Sequence, residues 1–568
     1  MHIDVVPNRG SRPAYLLRES IREGSRVFKR TLANLSSLSD AQITAIRAVL
    51  RGEQLAPVDQ RFEVVRSVAH GHVQAVRVAM SRLGFAALLN ARPSRERDLV
   101  CALVAARVLA PHTKLATTRW WHTTSLAEAF GVAEANEDDL YAAMDWLLER
   151  QGHIEKKLAA RHLRADGLVL YDLSSSYFEG VCCSLARYGH NRDGKRGKLQ
   201  VNYGLVSAPG GCPVAVSVYE GNTADATTLL PQVQRVREQF GIRRLVMVGD
   251  RGMISDKAID SLRDLEGVDW ITALKSAQIR TLLSEGGLQM DLFDERNLVE
   301  FTHPDFPGER LVACRNPALA KLRSHKRRDL LQATVEELEK LRASVLAKRV
   351  RKVEDIGVRV GKVVNKYKVA KHFDYTIEAD HFAFSINEDR VAKEAALDGI
   401  YVLRTALSAQ KMQAPEVVRS YKSLSDVERA FRSIKTVDLK VRPIHHRLAD
   451  RVRSHIFVCM LAYYVEWHML QAWRELLFFD EDQPAKRARD PVAPAERSES
   501  ALHKAHTRTL PDATPVHSFQ TLLCELSTIV RNTCRVPHAR EDCATFELLT
   551  NANAKQRRAL ELLETISV

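Results

Sequence analysis

Two aspartates follow short apolar runs in the middle of the chain: Asp172 in LVLYDLSSSYFEG and Asp250 in IRRLVMVGDRGM. Continuous runs such as Leu168 to Leu170 and Leu245 to Val248 suit strands covered on both faces, and the ends of such strands are where a sheet exposes functional side chains. Two carboxylates at strand ends point to a divalent-metal site, because oxygen ligands select hard cations, Mg²⁺ or Mn²⁺ over Zn²⁺. A third carboxylate, Glu428, lies downstream in SYKSLSDVERAFRSIK. At about 100° per residue, Leu424, Val427, Phe431 and Ile434 fall within an arc of roughly 80°, the buried stripe of an amphipathic helix. Tyr421, Glu428 and Lys435 recur every seventh residue and line the edge of that stripe. Glu428 is thereby expected at the rim of the core, within reach of a ligand.

The elements that must position these residues are legible around them. LQVNYGLVS (199–207) and PVAVSVY (213–219) read as strands, with Ala208-Pro209-Gly210-Gly211 between them as a hairpin turn. Thr223 to Phe240 carries Leu229, Leu230, Val233, Val236 and Phe240 at helical spacing. Strand, hairpin, strand, helix, strand is a ribonuclease H-like order. It places Asp172 on the first strand and Asp250 on the strand after the helix.

Asp172, Asp250 and Glu428, with YDLSSSYFEG, EGNTADATTL (Gly221, Asn222, Asp225), VGDRGM and RPIHHRLADRVRSHIFVCMLAYY, resemble the DDE transposases of bacterial insertion sequences. The similar branch carries a Tyr-x2-Arg-x3-Glu-x6-Lys signature and a long insertion before the glutamate. The resemblance runs from the N-terminus to about residue 475; it departs from the signature at Leu424, where the family has Arg. It implies that Asp172, Asp250 and Glu428 are catalytic, holding two Mg²⁺ (or Mn²⁺) ions for in-line attack on a phosphodiester. It also implies that Tyr421, Arg432 and Lys435 contact DNA, that terminal inverted repeats and target DNA are the partners, and that a homodimer forms the synaptic complex.

Over the whole chain, an excess of 84 Lys and Arg over 70 Asp and Glu gives a net charge of +14, which favours a polyanionic partner. Within RYGHNRDGKRGKLQ, Arg187, His190, Arg192, Lys195, Arg196 and Lys198 form a Gly-rich cationic stretch suited to phosphates. At 45% hydrophobic and 27% charged residues the chain has ample material for a core. Nine scattered cysteines fit a reducing cytoplasm, and no signal-peptide core is visible; the resemblance implies a bacterial cytoplasm, near the nucleoid. The longest apolar run, Ile456 to Val465, is too short to span a bilayer. No phosphate-loop or nucleophile-elbow motif supports an ATPase or a serine hydrolase.

The expected fold is α/β: a ribonuclease H-like core with a mixed sheet, interrupted by a mixed β and helical insertion and preceded by a small β-ribbon and a helical DNA-binding region. The expected divisions are a basic ribbon (1–60), the helical region (61–164), the first half of the core (165–284), the insertion (285–400), the second half (401–480), and a linker with a helical tail (481–568). Within these, Asp40 to Arg51 reads as a helix capped by Ser39, Ala318 to Arg351 as one long charged helix, and Trp120 and Trp121 as packing residues. His445, His446 and His455 read as satisfied or exposed side chains, and Cys524, Cys534, His538 and Cys543 match no paired zinc spacing. The rival classes are a catalytically reduced DNA-binding protein and a structure-specific nuclease built on the same core.

Overall fold

The computed structural model describes the chain except residues 54–61, 181, 287, 289–292, 294–296, 481, 483–488, 494–495 and 537–543. The chain divides into two units, one of residues 1–68 with 530–550 and one of residues 69–529 with 551–568.

In the first unit, β1 (His2–Asn8), β2 (Ser11–Glu23) and β3 (Arg26–Asn34) form an antiparallel sheet. The helix Asp40–Leu50 follows it, and Ser39 and Gln42 close a capping box at its start, as the Ser-x-x-Gln spacing predicts. A second sheet joins β4 (Glu63–Ala69) to Val530–Arg535 and Phe546–Leu549. These strands correct the expectation of a helical tail. The chain from Val516 holds two helices, Phe519–Leu526 and Ala554–Glu564, with the two strands between them. His538 and Cys543 lie outside the described residues.

The second unit is built on an eight-stranded mixed sheet. In it β5 (Gly167–Tyr177) is flanked on one side by β6 (Gln200–Ser207) and then β7 (Pro213–Glu220), each antiparallel to its neighbour. On its other side lie β8 (Leu245–Val248) and β9 (Val268–Ala273), both parallel to it. The insertion contributes β10 (Leu298–Phe301), β11 (Arg310–Arg315) and a separate hairpin of β12 (Phe373–Glu378) and β13 (His381–Ile386). Beyond it, β14 (Ile400–Thr405) pairs antiparallel with both β9 and β11, so β11 and β10 extend the central sheet. Val169, Leu170, Val246, Met247 and Val248 are all buried, as their unbroken apolar runs require.

The long insertion helix runs Pro317–Leu346, shorter than the expected span to Arg351. Lys348 takes a left-handed φ of 55°, and a second helix, Val353–Tyr367, packs back on the first. Leu338, Val345, Ile356 and Phe373 give this pair and the β12–β13 hairpin a core of their own.

The expected helical region, 61–164, opens with the strand β4 and is helical from Gly71 onward, with helices Gly71–Arg82, Arg95–Leu109, Glu137–Glu149 and Gln151–His162. Trp121 is fully buried and Trp120 packs against the same core. The apolar helix Ala449–Ala472 lies against β7 and against the helices Arg95–Leu109 and Glu137–Glu149, which explains why it is apolar nearly all round. Among the described residues no single helix is long and apolar enough to cross a membrane. The expected linker after residue 481 includes a helix, Glu499–Thr507, and Val492 and Leu510 pack into the main core.

Candidate active site

Asp172 and Asp250 owe their proximity to strand register. Leu170 of β5 pairs in parallel with Val248 of β8, and each aspartate lies two residues further along its strand direction. Parallel neighbours stand about 4.8 Å apart, so the equal offset brings the two aspartates to the same end of the strand pair, where both line one cavity. Asp172 is not at a strand end as expected: β5 continues to Tyr177 because β6 carries the ladder on, pairing Asp172 with Leu205 and Tyr177 with Gln200. Asp250 sits in the turn that leaves β8, where its Oδ1 accepts the amides of Gly252 and Met253, both at 2.9 Å.

Glu428 arrives on the helix Leu424–Arg432, whose Val427, Ala430 and Phe431 are buried while Glu428 is exposed. That helix packs on β5, and the Phe431 ring meets Tyr203 of β6 edge-on at 5.7 Å. The single helix expected through Tyr421, Glu428 and Lys435 is instead three pieces. Ala414–Lys422 ends at Ser423, Leu424–Arg432 follows, and Ser433–Val437 winds into a π-turn. The wider turn breaks the seven-residue alignment and carries Lys435 inward, as such turns commonly do at functional sites.

The three carboxylates line one cavity of about 440 Å³ together with Ser174, Arg192, Asp193, Asp225, Arg432, Lys435 and Arg442. Burial pushes the Asp172 carboxyl up to about 7; the Leu173 amide, which donates to its Oδ1 at 2.8 Å, and Arg192 offset this in part, while Asp250 and Glu428 add to it. A donor set of carboxylate oxygens, one of them costly to ionise beside two others, fits a hard divalent cation, which would relieve the burial and the repulsion together. Among the described residues, the trios whose ligand atoms lie within 4.8 Å of one another are elsewhere: His162, Cys212, His468 and Glu285, His303, Asp305.

The cations expected to meet DNA divide into two groups. Lys435 is buried, donates to Ser174 Oγ at 3.0 Å and lies 2.7 Å from Asp193 Oδ1; burial lowers its pKa, and Asp193 opposes that shift. Arg192 is paired with Asp225, and Arg442 shares Asp193 with Lys435. Arg432, Lys195 and Arg196 are exposed, Lys198 lies 3.1 Å from Glu179, and Arg187 is 3.6 Å from Glu220. Tyr421 is half-buried; burial raises its hydroxyl pKa, as do Asp250 and Glu428. Asp193, Ser174 and Arg442 were not singled out from sequence. Asp193 was visible only as one acid inside a basic, Gly-rich stretch, where a solvated loop and a buried counter-ion look alike.

Asp193 has a side chain only 3% exposed and balances two cations. Asp193→Ala is therefore expected to destabilise the fold by ~1–3 kcal/mol, the penalty for leaving a buried donor without its acceptor, read as a lower thermal midpoint. Asp193→Asn, which keeps an acceptor, should lose less.

A family model described as the transposase DDE domain matches residues 181–465, half of the chain, so Asp250 and Glu428 lie inside the match and Asp172 just before it. A second model, the N-terminal domain of the IS1634 family transposases, matches residues 3–58. No curated protein matches the chain. Among solved structures, a piggyBac transposase synaptic complex with hairpin DNA is similar at 9% identity and a TM-score of 0.33, over 80% of this chain and 76% of that one, a likeness too remote to carry an argument. With one model spanning half of its length and the other its N-terminal ribbon, the chain belongs to the DDE transposases of bacterial insertion sequences.

Proposed function

We propose that the protein holds the terminal inverted repeats of its insertion sequence, cuts at the element ends and joins the 3′ ends to target DNA, with Asp172, Asp250 and Glu428 as the ligands of two Mg²⁺ or Mn²⁺ ions. The observation that carries this reading is the convergence of the three carboxylates, from a strand, the turn after its neighbour and a distant helix, in one cavity. The strand order β7-β6-β5-β8-β9, with β6 antiparallel and the others aligned with β5, supports a ribonuclease H-like core. Members of the family generally use divalent metal ions. Such ions, when bound, would sharpen the nucleophile and neutralise charge on the phosphate and leaving oxygen.

The chain's own residues prepare that site. Asp172 presents its oxygens from β5 and Asp250 from the turn that leaves the neighbouring β8, where two backbone amides fix its carboxylate. Glu428 faces them from a helix anchored by its apolar side. Lys435 and Arg442 tie Asp193 into the wall, and the exposed Arg432, Lys195 and Arg196 are the side chains suited to take up DNA phosphates. In the same reading, the ribbon of residues 1–60 and the helical region 61–164 hold the element end. The insertion of residues 285–400 covers that end or the partner subunit, and a homodimer brings two ends together.

The test uses purified protein, a labelled duplex ending in the element's own terminal repeat, and a supercoiled target plasmid, with Mg²⁺ or EDTA. Nicking at the repeat boundary and a joined product, both requiring metal, are expected. Cleavage without joining would make the protein a nuclease; repeat binding without cleavage in Mg²⁺ or Mn²⁺ would make it a DNA-binding relic.

The raised Asp172 carboxyl also sets a pH dependence. Below a pKa of about 7 a proton competes with the cation, so Mn²⁺ affinity measured by calorimetry should be about tenfold weaker at pH 6 than at pH 8. Without metal, an acid whose folded pKa exceeds its unfolded value of 3.8 favours the fold at low pH, and that contribution is lost as pH rises through about 7. The rise in thermal midpoint on adding Mg²⁺ should accordingly be largest above pH 7, and absent in Asp172→Asn.

A further inference from the structure

A second cavity, of about 950 Å³, adjoins the carboxylate site and shares Arg442 with it. Six cations line it: Arg107, Lys114, Lys440, Arg442, Arg447 and Arg451. No aspartate or glutamate does. Arg442 has Asp193 as a partner, and Arg451 has Asp145 at 3.7 Å. Among the described residues the other four have no carboxylate within ion-pair distance.

Two of those four are buried, which makes the imbalance costly. Lys114 is 3% exposed and Arg107 6%, and the Arg107 Nε has no hydrogen-bond partner among the described residues. Arg107 donates only long bonds, from Nη1 to the Leu439 carbonyl at 3.4 Å and from Nη2 to the His112 carbonyl at 3.3 Å. An uncompensated buried charge is normally neutralised by a partner or by loss of its proton. Lys114 shows the effect of lacking a partner: burial, and then Arg107, brings its pKa down to about 7. His446 and His455 add no charge. Burial, with Lys114 and Arg107, holds His446 down to about 3 and His455 well below the usual range. The rings adjoin one another, His446 tilted against His455 at 5.0 Å and edge-on to Tyr141 at 6.1 Å, and Arg451 sits over the Tyr141 ring at 4.3 Å.

A cationic cavity with no acid of its own, an orphaned buried donor and neutral ring faces is complementary to phosphate esters that carry sugar and base. We infer that this cavity binds the phosphodiester backbone of the DNA strand that leads into the carboxylate site, with Arg107 and Lys114 at its floor and Lys440 and Arg447 at its exposed rim. The assignment of a DNA strand rests on the function proposed above. A phosphate-ester site as such does not, and binding measured in EDTA keeps the two separable from cleavage.

The test is fluorescence anisotropy of the terminal-repeat duplex on the full chain in EDTA, across a range of salt. Lys440 and Arg447 are exposed, so Lys440→Gln/Arg447→Gln should fold normally. It should lower affinity roughly tenfold and reduce the slope of log affinity against log salt by about two, one for each phosphate no longer neutralised. Lys114→Gln should weaken binding further and Lys114→Arg restore it; thermal unfolding checks that each variant folds. Inorganic phosphate and a 5′-mononucleotide are titrated in parallel. Unchanged DNA affinity and salt slope in the rim variant overturn the strand assignment. If phosphate or the mononucleotide nevertheless binds wild type and fails to bind Lys114→Gln, the ligand is a free phosphate ester. If nothing binds differently in any variant, the cavity is no phosphate site at all.

Discussion

Glu428→Gln is expected to lower the rate of metal-dependent DNA cleavage by ~10³-fold or more, while DNA binding in EDTA and the thermal midpoint stay unchanged. A metal ligand contributes several kcal/mol of charge stabilisation in the transition state, and each 1.4 kcal/mol is about tenfold in rate. Glu428 is suited to this test because its side chain is exposed. Its helix is held by Val427, Ala430 and Phe431, so the substitution removes an oxygen from the cavity without disturbing the packing beneath. Asp172→Asn should lose as much rate, yet should stabilise the metal-free protein at pH 8, since it removes a carboxyl that burial makes hard to ionise. Cleavage that survives Glu428→Gln with rate intact would remove Glu428 from the ligand set.

Glu155→Ala is expected to cost about 3–5 kcal/mol of stability, the range for removing one partner of a buried ion pair. Glu155 is fully buried on the helix Gln151–His162 and pairs with Arg235 on the helix Asp225–Glu238. Its Oε1 also accepts the Val216 amide of β7 and the Gln151 side chain, both at 2.9 Å. Burial has already brought Arg235 down to about 10, and without Glu155 its charge would remain among Val216, Ser217 and the helix. Since a domain has only ~5–15 kcal/mol in total, the midpoint in urea should fall steeply. By contrast Arg244 and Asp166 form a pair at 2.8 Å but are both about two-thirds exposed, and Asp166→Ala should change stability by less than about 1 kcal/mol. Equal losses at the two sites would show that burial is not what makes the Glu155 pair matter.

The strands that lead to Asp172 and Asp250 were legible because their apolar runs are unbroken, and the strand, hairpin, strand, helix, strand order appears in the structure as read. Where β5 ends was not legible. Leu173 to Tyr177 includes three serines, which look like a loop, yet Ser174, Ser175 and Ser176 are buried in the strand, Ser176 bonded to the Tyr203 hydroxyl at 2.9 Å. The amphipathic stripe around Glu428 was readable from spacing alone. The π-turn after it was not, because it accompanies Lys435 reaching Ser174 and Asp193, residues more than 200 positions away in the chain. The C-terminal strands failed for the same reason. Val530–Arg535 and Phe546–Leu549 complete a sheet with β4 near the other end of the chain, and nothing local demands a strand there. Local periodicity therefore exposed the acidic residues and the elements bearing them, while the buried counter-ions that shape the cavity depend on contacts made only in the fold.

In the proposed function Asp172, Asp250 and Glu428 together hold the divalent ions. The most direct measurement replaces Mg²⁺ with Fe²⁺ in the full-length protein, generates hydroxyl radicals with ascorbate and peroxide, and maps the backbone cuts by mass spectrometry. Cuts clustered around residues 172, 250 and 428, suppressed by excess Mg²⁺ and absent in the Asp172→Asn/Glu428→Gln protein, are the expected result. Cuts confined to His162, Cys212 and His468, or none that Mg²⁺ suppresses, would contradict it.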